Sequence, residues 1–197
     1  MKKHGTLTVP SKSPLRLRVQ QMNAESAVVE MGVDYSLADV PERAYYADYC
    51  DVVKDRQGFT LIFGKLVPGT SKLRTKIEIS FPEEMFVRQL WGNSRDFQKI
   101  VERLAVNSKV EPIQDVADTD KVQTFRSNNV FMGVWGEESV MDYYYISPKD
   151  MHSVMQNPQH AADVTLEPVV RVAIGTGLML EFLNKCGNFV PQNALAT

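Results

Sequence analysis

Two stretches of this chain, 93 positions apart, follow the same order of apolar and polar residues. Residues 75–90 and 168–183 each begin with the alternation of a half-buried strand and continue with the spacing of an amphipathic helix. Their inward strand positions coincide, since Ile77, Ile79 and Phe81 meet Val170, Val172 and Ile174. This recurrence predicts that the chain folds as two copies of one unit.

The elements upstream of these stretches recur in the same order. The first copy is expected to have strands at 45–53, 59–67 and 75–81 before its helix, and the second at 122–135, 139–146 and 170–174 before a helix at 178–186. Tyr46-Ala47-Asp48-Tyr49 has a counterpart in Arg126-Ser127-Asn128-Asn129. The predicted fold class is therefore α+β, with duplicated antiparallel β-β-β-α units forming a pseudo-dimer.

The predicted boundaries follow from this order. A basic N-terminal arm and first strand occupy 1–20, the first sheet and helix unit 21–105, a polar linker 106–121, and a second, degenerate unit 122–197. An insertion at 147–167 carries a short helix capped by Ser147. Pro68-Gly69 predicts a type II turn, and Ser80 with Glu83 predicts a capping box.

Composition places the chain among ordinary globular proteins, with 44% hydrophobic and 23% charged residues. The sequence has neither a stretch resembling a membrane span nor a signal-peptide pattern, which favours a cytoplasmic protein. Cys50 and Cys186 lie far apart, and two buried thiols are favoured over a disulfide in a reducing compartment.

Positive charge gathers at the start of the chain. The first 24 residues hold five basic residues and no acidic one, whereas the whole chain has a net charge of −2. Arg16 and Arg18 alternate with Leu15, Leu17 and Val19, which predicts a strand with one basic face. Such an arm suits contact with nucleic acid or an acidic partner, and a solubilising terminus is the simpler alternative.

The first copy resembles a known bacterial family. Tyr46-Ala47-Asp48-Tyr49, Phe59-Thr60-Leu61-Ile62-Phe63-Gly64 and Ile77-Glu78-Ile79-Ser80 followed by Pro82-Glu83 are similar to the motifs of domain of unknown function 3467 over residues 42–104. Asp48 stands where that family has Asn, and Phe81 separates Ser80 from Pro82. The resemblance implies a fold unit and no particular chemistry. The order of strands before a helix also resembles SecB-type export chaperones, which implies an oligomer that holds unfolded chains.

Motifs that would indicate an active site fail on spacing. Gly58 to Lys65 has five residues between its glycines and lacks the Ser or Thr of a phosphate-binding loop. His152 and His160 are eight positions apart, which fits polar loop residues better than metal ligands. The chain has no motif of an activated Ser or Cys nucleophile. We therefore expect no catalytic residue, no cofactor and no metal, and hence no enzyme.

Six tyrosines fall in two predicted strands. They are Tyr45, Tyr46, Tyr49, Tyr143, Tyr144 and Tyr145. Neighbouring tyrosines put rings on both faces of a strand, which suits a protein interface, packing between two sheets, or stacking on bases. We expect a non-catalytic protein-binding or assembly protein, an adaptor or chaperone-like, whose partner is another protein or a second copy. A nucleic-acid accessory protein that uses the basic arm is the alternative.

Overall fold

A computed structural model describes residues 15–23, 26–70, 72–86, 90, 121–135, 137–157 and 164–189, with backbone alone for 15–23, 26–32, 135 and 155. The chain forms two compact units. One comprises Met1–Asp39 and Ile146–Glu167, and the other comprises Val40–Tyr145 and Pro168–Thr197. This division differs from the predicted boundaries, because the insertion clusters with the N-terminal residues and both halves of the repeat lie in one unit.

The predicted strand segments are present, but the segments predicted as single strands at 45–53 and 122–135 are each divided into two strands. The strands are β1 Leu15–Asn23, β2 Ser26–Val33, β3 Ala44–Ala47, β4 Tyr49–Lys54, β5 Phe59–Leu66, β6 Leu73–Phe81, β7 Gln123–Arg126, β8 Asn129–Trp135, β9 Glu138–Tyr145 and β10 Glu167–Gly175. The helices are α1 Glu83–Met85, α2 Pro148–Gln156, α3 Thr176–Gly187 and a 3-10 turn at Tyr35–Leu37. The α+β class is confirmed.

The smaller unit contains an antiparallel hairpin and one helix. β1 pairs with β2, with Leu15 opposite Val33. Helix α2 has Ser147 as its N-cap, whose hydroxyl oxygen accepts a hydrogen bond from the Asp150 N–H at 3.1 Å, and Pro148 occupies the first turn. The predicted cap of the insertion helix is confirmed, since both residues satisfy the unpaired N–H groups of a helix start.

The larger unit contains two four-stranded sheets that exchange strands. Their orders are β3-β10-β9-β8 and β4-β5-β6-β7. The chain passes between sheets within a few residues, at Asp48 between β3 and β4 and at Ser127-Asn128 between β7 and β8. The segments 44–54 and 123–135 therefore each contribute one strand to both sheets. Followed from strand to strand, the neighbours lead through all eight strands and back to the first.

Hydrogen bonds mark these crossing points. The Ser127 N–H donates to the Ser80 carbonyl at 3.0 Å, and the next N–H, of Asn128, donates to the Tyr144 carbonyl at 3.1 Å. At the other crossing the Asp48 N–H donates to the Gly64 carbonyl at 3.1 Å. These three N–H groups thus keep a hydrogen-bond partner although the strand changes sheets.

The strand register agrees with the alignment of the two halves. Two pairings are parallel: in one, Arg126 lies opposite Ser80, and in the other, Tyr46 lies opposite Ala173. The sequence alignment of the two halves makes Arg126 the counterpart of Tyr46, 80 positions earlier, and Ala173 the counterpart of Ser80, 93 positions earlier. The two parallel pairs therefore consist of equivalent residues. The order and register of the elements therefore recur, while common ancestry of the halves stays a prediction.

One apolar core fills the larger unit. Its fully buried members include the aligned pairs Ile77 and Val170, Ile79 and Val172, Phe81 and Ile174, and Phe86 and Met179. Phe59 stacks on Phe86, with ring centroids 3.7 Å apart. Burial of these side chains from both sheets is the main force that holds the sheets together.

Two expectations about this unit need correction. The halves do not form separate antiparallel sheets, because β3 pairs with β10 and β6 with β7 in parallel, which joins each half to the other. Helix α1 has Pro82 as its N-cap and no side-chain cap, so the capping box with Ser80 is wrong. Ser80 lies in β6, where the strand must continue to bury Phe81.

Candidate functional site

The hairpin between β5 and β6 ends in a tip that carries exposed aliphatic and basic side chains; we call residues 65–74 the hairpin tip. Leu66 pairs with Leu73, and Lys65 pairs with Arg74. The Thr70 N–H donates to the Val67 carbonyl at 3.1 Å across Pro68 and Gly69, and Gly69 has φ 73°. These values define the predicted type II turn, which is confirmed.

The turn is held by further hydrogen bonds. The Val67 N–H donates to the Lys72 carbonyl at 2.9 Å, and the Thr70 hydroxyl donates to the Val67 carbonyl at 2.9 Å. The Lys72 N–H in turn donates to the Thr70 hydroxyl oxygen at 3.1 Å. These bonds hold Val67, Thr70 and Lys72 in place, which lowers the conformational entropy that these residues lose when a partner binds.

Aliphatic side chains at the tip remain in contact with solvent. Leu66 is 49% exposed, Leu73 38% and Val67 36%. Because paired residues of neighbouring strands lie on one face, Leu66 and Leu73 form a single apolar surface. Three adjoining exposed aliphatic residues are more than the single ones that a protein surface normally carries.

Positive charge surrounds this apolar surface. Residues 65–77 contain no acidic residue and four basic ones, namely Lys65, Lys72, Arg74 and Lys76. The Asp48 carboxylate lies beside the tip and accepts a hydrogen bond from the Leu66 N–H at 2.6 Å. The tip therefore combines an apolar centre with a positive border, which sequence analysis missed. The signal was the long acid-free stretch.

The predicted tyrosines separate into buried and accessible rings. Tyr143, Tyr144 and Tyr45 are buried at 0%, 2% and 7% exposure. Tyr143 contacts the core ring of Phe63, and the Tyr45 hydroxyl donates to the Gln123 side-chain oxygen at 2.8 Å. These three rings have structural positions and do not present an interaction surface, because β9, which carries Tyr143 and Tyr144, is buried on both faces and Tyr45 of β3 belongs to the core.

Tyr46, Tyr49 and Tyr145 remain accessible in whole or in part. Tyr46 is 38% exposed. Tyr49 belongs to a polar cluster in which its hydroxyl donates to Asp51 at 3.1 Å and Lys185 lies 5.8 Å from its ring centroid. Partial burial, together with the hydrogen bond to Asp51, raises the pKa of Tyr49. The hydroxyl of Tyr49 is therefore held as a neutral donor.

Lys185 also covers a strand edge. Its ammonium group donates to the Cys50 carbonyl at 3.1 Å, and the adjacent Val52 N–H donates to the Asp51 carboxylate at 2.9 Å. The backbone groups of β4 that face away from β5 are thus partly satisfied by side chains. Such covering opposes pairing with a strand of another molecule.

The other residues singled out in the sequence are either located by the structure or lie outside its described residues. Cys50 and Cys186 are free and buried, as expected. His152 is exposed and within 2.9 Å of the Gln156 side-chain nitrogen, while His160 lies outside the described residues. Also outside them are the side chains of Arg16 and Arg18, residues 106–120 of the predicted linker at 106–121, and residues 1–14 of the arm.

The described residues contain no group of three or more potential metal ligands. None of their helices has the length and hydropathy that a bilayer crossing requires. Comparisons with protein-family models, curated proteins and solved structures find no match to this chain. The resemblances to domain of unknown function 3467 and to the SecB topology therefore stay predictions.

Proposed function

We propose that this protein is a non-catalytic protein-binding module whose hairpin tip binds an acidic segment, with apolar side chains, of another protein. The observation that carries the proposal is the solvent exposure of Leu66, Val67 and Leu73. The basic residues Lys65, Lys72 and Arg74 neighbour them in the sequence. Burying the aliphatic side chains contributes the affinity, and the basic border selects acidic partners and speeds their association.

The composition of the tip favours a protein over a nucleic acid. Single-stranded nucleic acids stack on aromatic rings, and the stretch from Lys65 to Arg74 contains none. Exposed aliphatic side chains gain nothing from a phosphate backbone. The net charge of −2 also lacks the excess of Lys and Arg that non-specific binding of nucleic acid requires.

The test is selection of peptides against the full chain. A displayed library of random peptides should yield sequences that combine Asp or Glu with Leu, Ile or Phe. A labelled peptide of that kind should bind less tightly as NaCl is raised, because salt screens the charged border. The change Leu66→Ser with Leu73→Ser should weaken binding by about tenfold or more, as for central apolar contacts of interfaces.

Val53 supplies the matched control, since it is 47% exposed on β4 and lies outside the tip. Val53→Ser removes a similar apolar exposure and should change the affinity by less than about twofold. Unfolding in urea shows whether both variants remain folded. Selected peptides without acidic residues, or equal binding by the Leu66→Ser/Leu73→Ser variant, would overturn the proposal.

A nucleic-acid accessory function has support from the five basic residues among the first 24. Removal of residues 1–20 tests it against the tip. If the deletion abolishes a salt-dependent mobility shift of single-stranded RNA while peptide binding persists, the arm binds nucleic acid independently. If no shift occurs with the full chain, this second function is excluded.

A further inference from the structure

A cavity of about 280 Å³ opens where four strand ends of the larger unit meet. Its walls are the turn at 55–58, the start of β5, the end of β6, the bend after β7 and the end of β9. It has space on the order of ten water-sized groups. No local sequence pattern indicates this cavity, because its lining comes from five separate segments of the chain.

A row of polar side chains crosses three strands along one wall. Thr60 pairs with Ser80 in the antiparallel ladder, and Ser80 pairs with Arg126 in the parallel one. Paired residues share a face, so the two hydroxyls and the guanidinium line up over about 10 Å, two strand spacings. Tyr145 lines the same cavity from β9.

These four side chains have no hydrogen-bond or ion-pair partner within the part of the chain that the structure describes. Their donors, a guanidinium and three hydroxyls, border one cavity. Arg126 is exposed and the other three side chains are half-buried, so their donors remain accessible to a ligand in the cavity. Convergent polar groups in a concave site are typical of sites for small molecules.

The opposite wall contains one acidic residue that is already engaged. The Asp55 carboxylate accepts hydrogen bonds from the Gln57 N–H at 2.7 Å and the Gly58 N–H at 3.1 Å. Its charge still lowers the positive potential that Arg126 creates. One cation opposed by one anion favours a ligand with a single negative charge over a dianion such as a phosphate monoester.

The turn and the strand ends around the cavity pack closely on one another. Phe59, Phe81 and Pro82 line the cavity; the two rings belong to the core and are 2% exposed, whereas Pro82 is exposed. Gly58 has φ 143°, and a Cβ there would stand 2.4 Å from the Phe81 carbonyl oxygen, so the turn packs directly on β6. The buried Ser127 hydroxyl lies 2.7 Å from the Tyr144 carbonyl and fixes the bend beside Arg126.

We propose that this cavity binds a small organic monocarboxylate with an apolar body. The carboxylate pairs with the Arg126 fork, which matches two carboxylate oxygens in one plane. The hydroxyls of Ser80, Thr60 and Tyr145 supply further donors, and the apolar body lies against Pro82, which is exposed at the edge of the cavity. The site is separate from the hairpin tip, so either proposal stands without the other.

Benzoate is the probe, and benzamide is its neutral counterpart of the same shape. Backbone amide signals of Gly58 and Ser127 are followed by NMR while each compound is added to the full chain. Benzoate should shift these signals saturably, and benzamide should bind at least about tenfold more weakly, because it lacks the charge that pairs with Arg126. Phenyl phosphate should bind no tighter than benzoate.

Arg126→Gln should weaken benzoate binding by about tenfold, because it removes the charge that pairs with the carboxylate. Arg56 is a nearby exposed cation that does not line the cavity, so Arg56→Gln should weaken benzoate binding by less than about twofold. Leu66→Ser/Leu73→Ser should leave benzoate binding unchanged, which separates this site from the tip. Equal loss in both arginine variants, equal binding of benzamide, tighter binding of phenyl phosphate, or no saturable shift would overturn the proposal.

Discussion

Phe63 and Tyr143 occupy matching positions in the two halves of the larger unit and contact each other in its core, with ring centroids 6.2 Å apart. Phe63 lies opposite Cys50, and Tyr143 lies opposite Val130, 80 positions further along the chain in each case. Both rings are fully buried. The two halves therefore meet through equivalent side chains, and this contact should be important for stability.

Replacing Phe63 by Ala should lower the free energy of unfolding by about 3–5 kcal/mol, the usual cost of removing a buried ring. Tyr143→Phe keeps the ring and loses a hydroxyl that contacts the Met141 sulfur at 3.2 Å, so it should cost less than about 1.5 kcal/mol. Urea unfolding measures both. Val53→Ala, an exposed change, should stay within about 0.5 kcal/mol. A cost for Phe63→Ala as small as that control would contradict the assignment.

Asp142 and Arg171 form a two-point ion pair between neighbouring strands β9 and β10. Arg171 Nε and Nη2 donate to the two Asp142 carboxylate oxygens, each at 2.6 Å, and the Asp142 side chain is 3% exposed. Asp142→Ala should destabilise the protein by about 3–5 kcal/mol, because it leaves a partly buried cation without its partner.

The exposed pair of Lys54 and Glu83 is the matched comparison, with both side chains more than 40% exposed. Glu83→Ala should cost less than about 1 kcal/mol, since water screens the charges. Thermal or urea unfolding distinguishes the two cases. Similar losses in Asp142→Ala and Glu83→Ala would show that burial does not determine the contribution of these pairs.

Strand positions were predictable because alternation depends on each segment alone. The exchange of strands between the two sheets was not predictable, because the pairings of β3 with β10 and of β6 with β7 join segments that are distant in the sequence. One local signal existed: the buried positions run 45, 47, then 50, 52, so alternation slips by one residue at Asp48. A slip of this kind indicates a bend. The cavity could not be predicted, because Thr60, Ser80 and Arg126 meet only through the register of those pairings.

The positive φ at position 69 favours glycine, and no neighbouring atom does. A substitution there therefore tests the turn conformation alone. The φ of Gly69 is 73°, and a Cβ there would meet no atom within 4 Å. Gly69→Ala should therefore cost about 1 kcal/mol from backbone strain without any clash. Gly177, in helix α3, has equally open space around it. Gly177→Ala should gain about 0.5 kcal/mol, because alanine favours helix, and equal effects of the two changes would contradict the turn type.

The buried thiols should make the protein less stable as the solution becomes alkaline. Burial raises the pKa of Cys50 to about 12, and burial, with Cys50 nearby, also raises that of Cys186. Unfolded thiols ionise near pH 8.5, so in the window above it the unfolded chain has lost protons that the folded chain keeps. The stabilisation is complete below the unfolded pKa and is lost as pH rises toward the folded one.

Urea titrations between about pH 8 and pH 10 should show the free energy of unfolding falling by up to about 1.4 kcal/mol per pH unit for each thiol. Cys50→Ala with Cys186→Ala should flatten this slope, whatever its effect on absolute stability. Burial also raises the pKa of Tyr143, which adds to the slope only near pH 10, where an unfolded tyrosine ionises, and equally in both proteins. In the native protein both thiols should react with Ellman's reagent only as fast as it unfolds. Identical slopes in the two proteins, or immediate reaction of native thiols, would contradict the buried positions of Cys50 and Cys186.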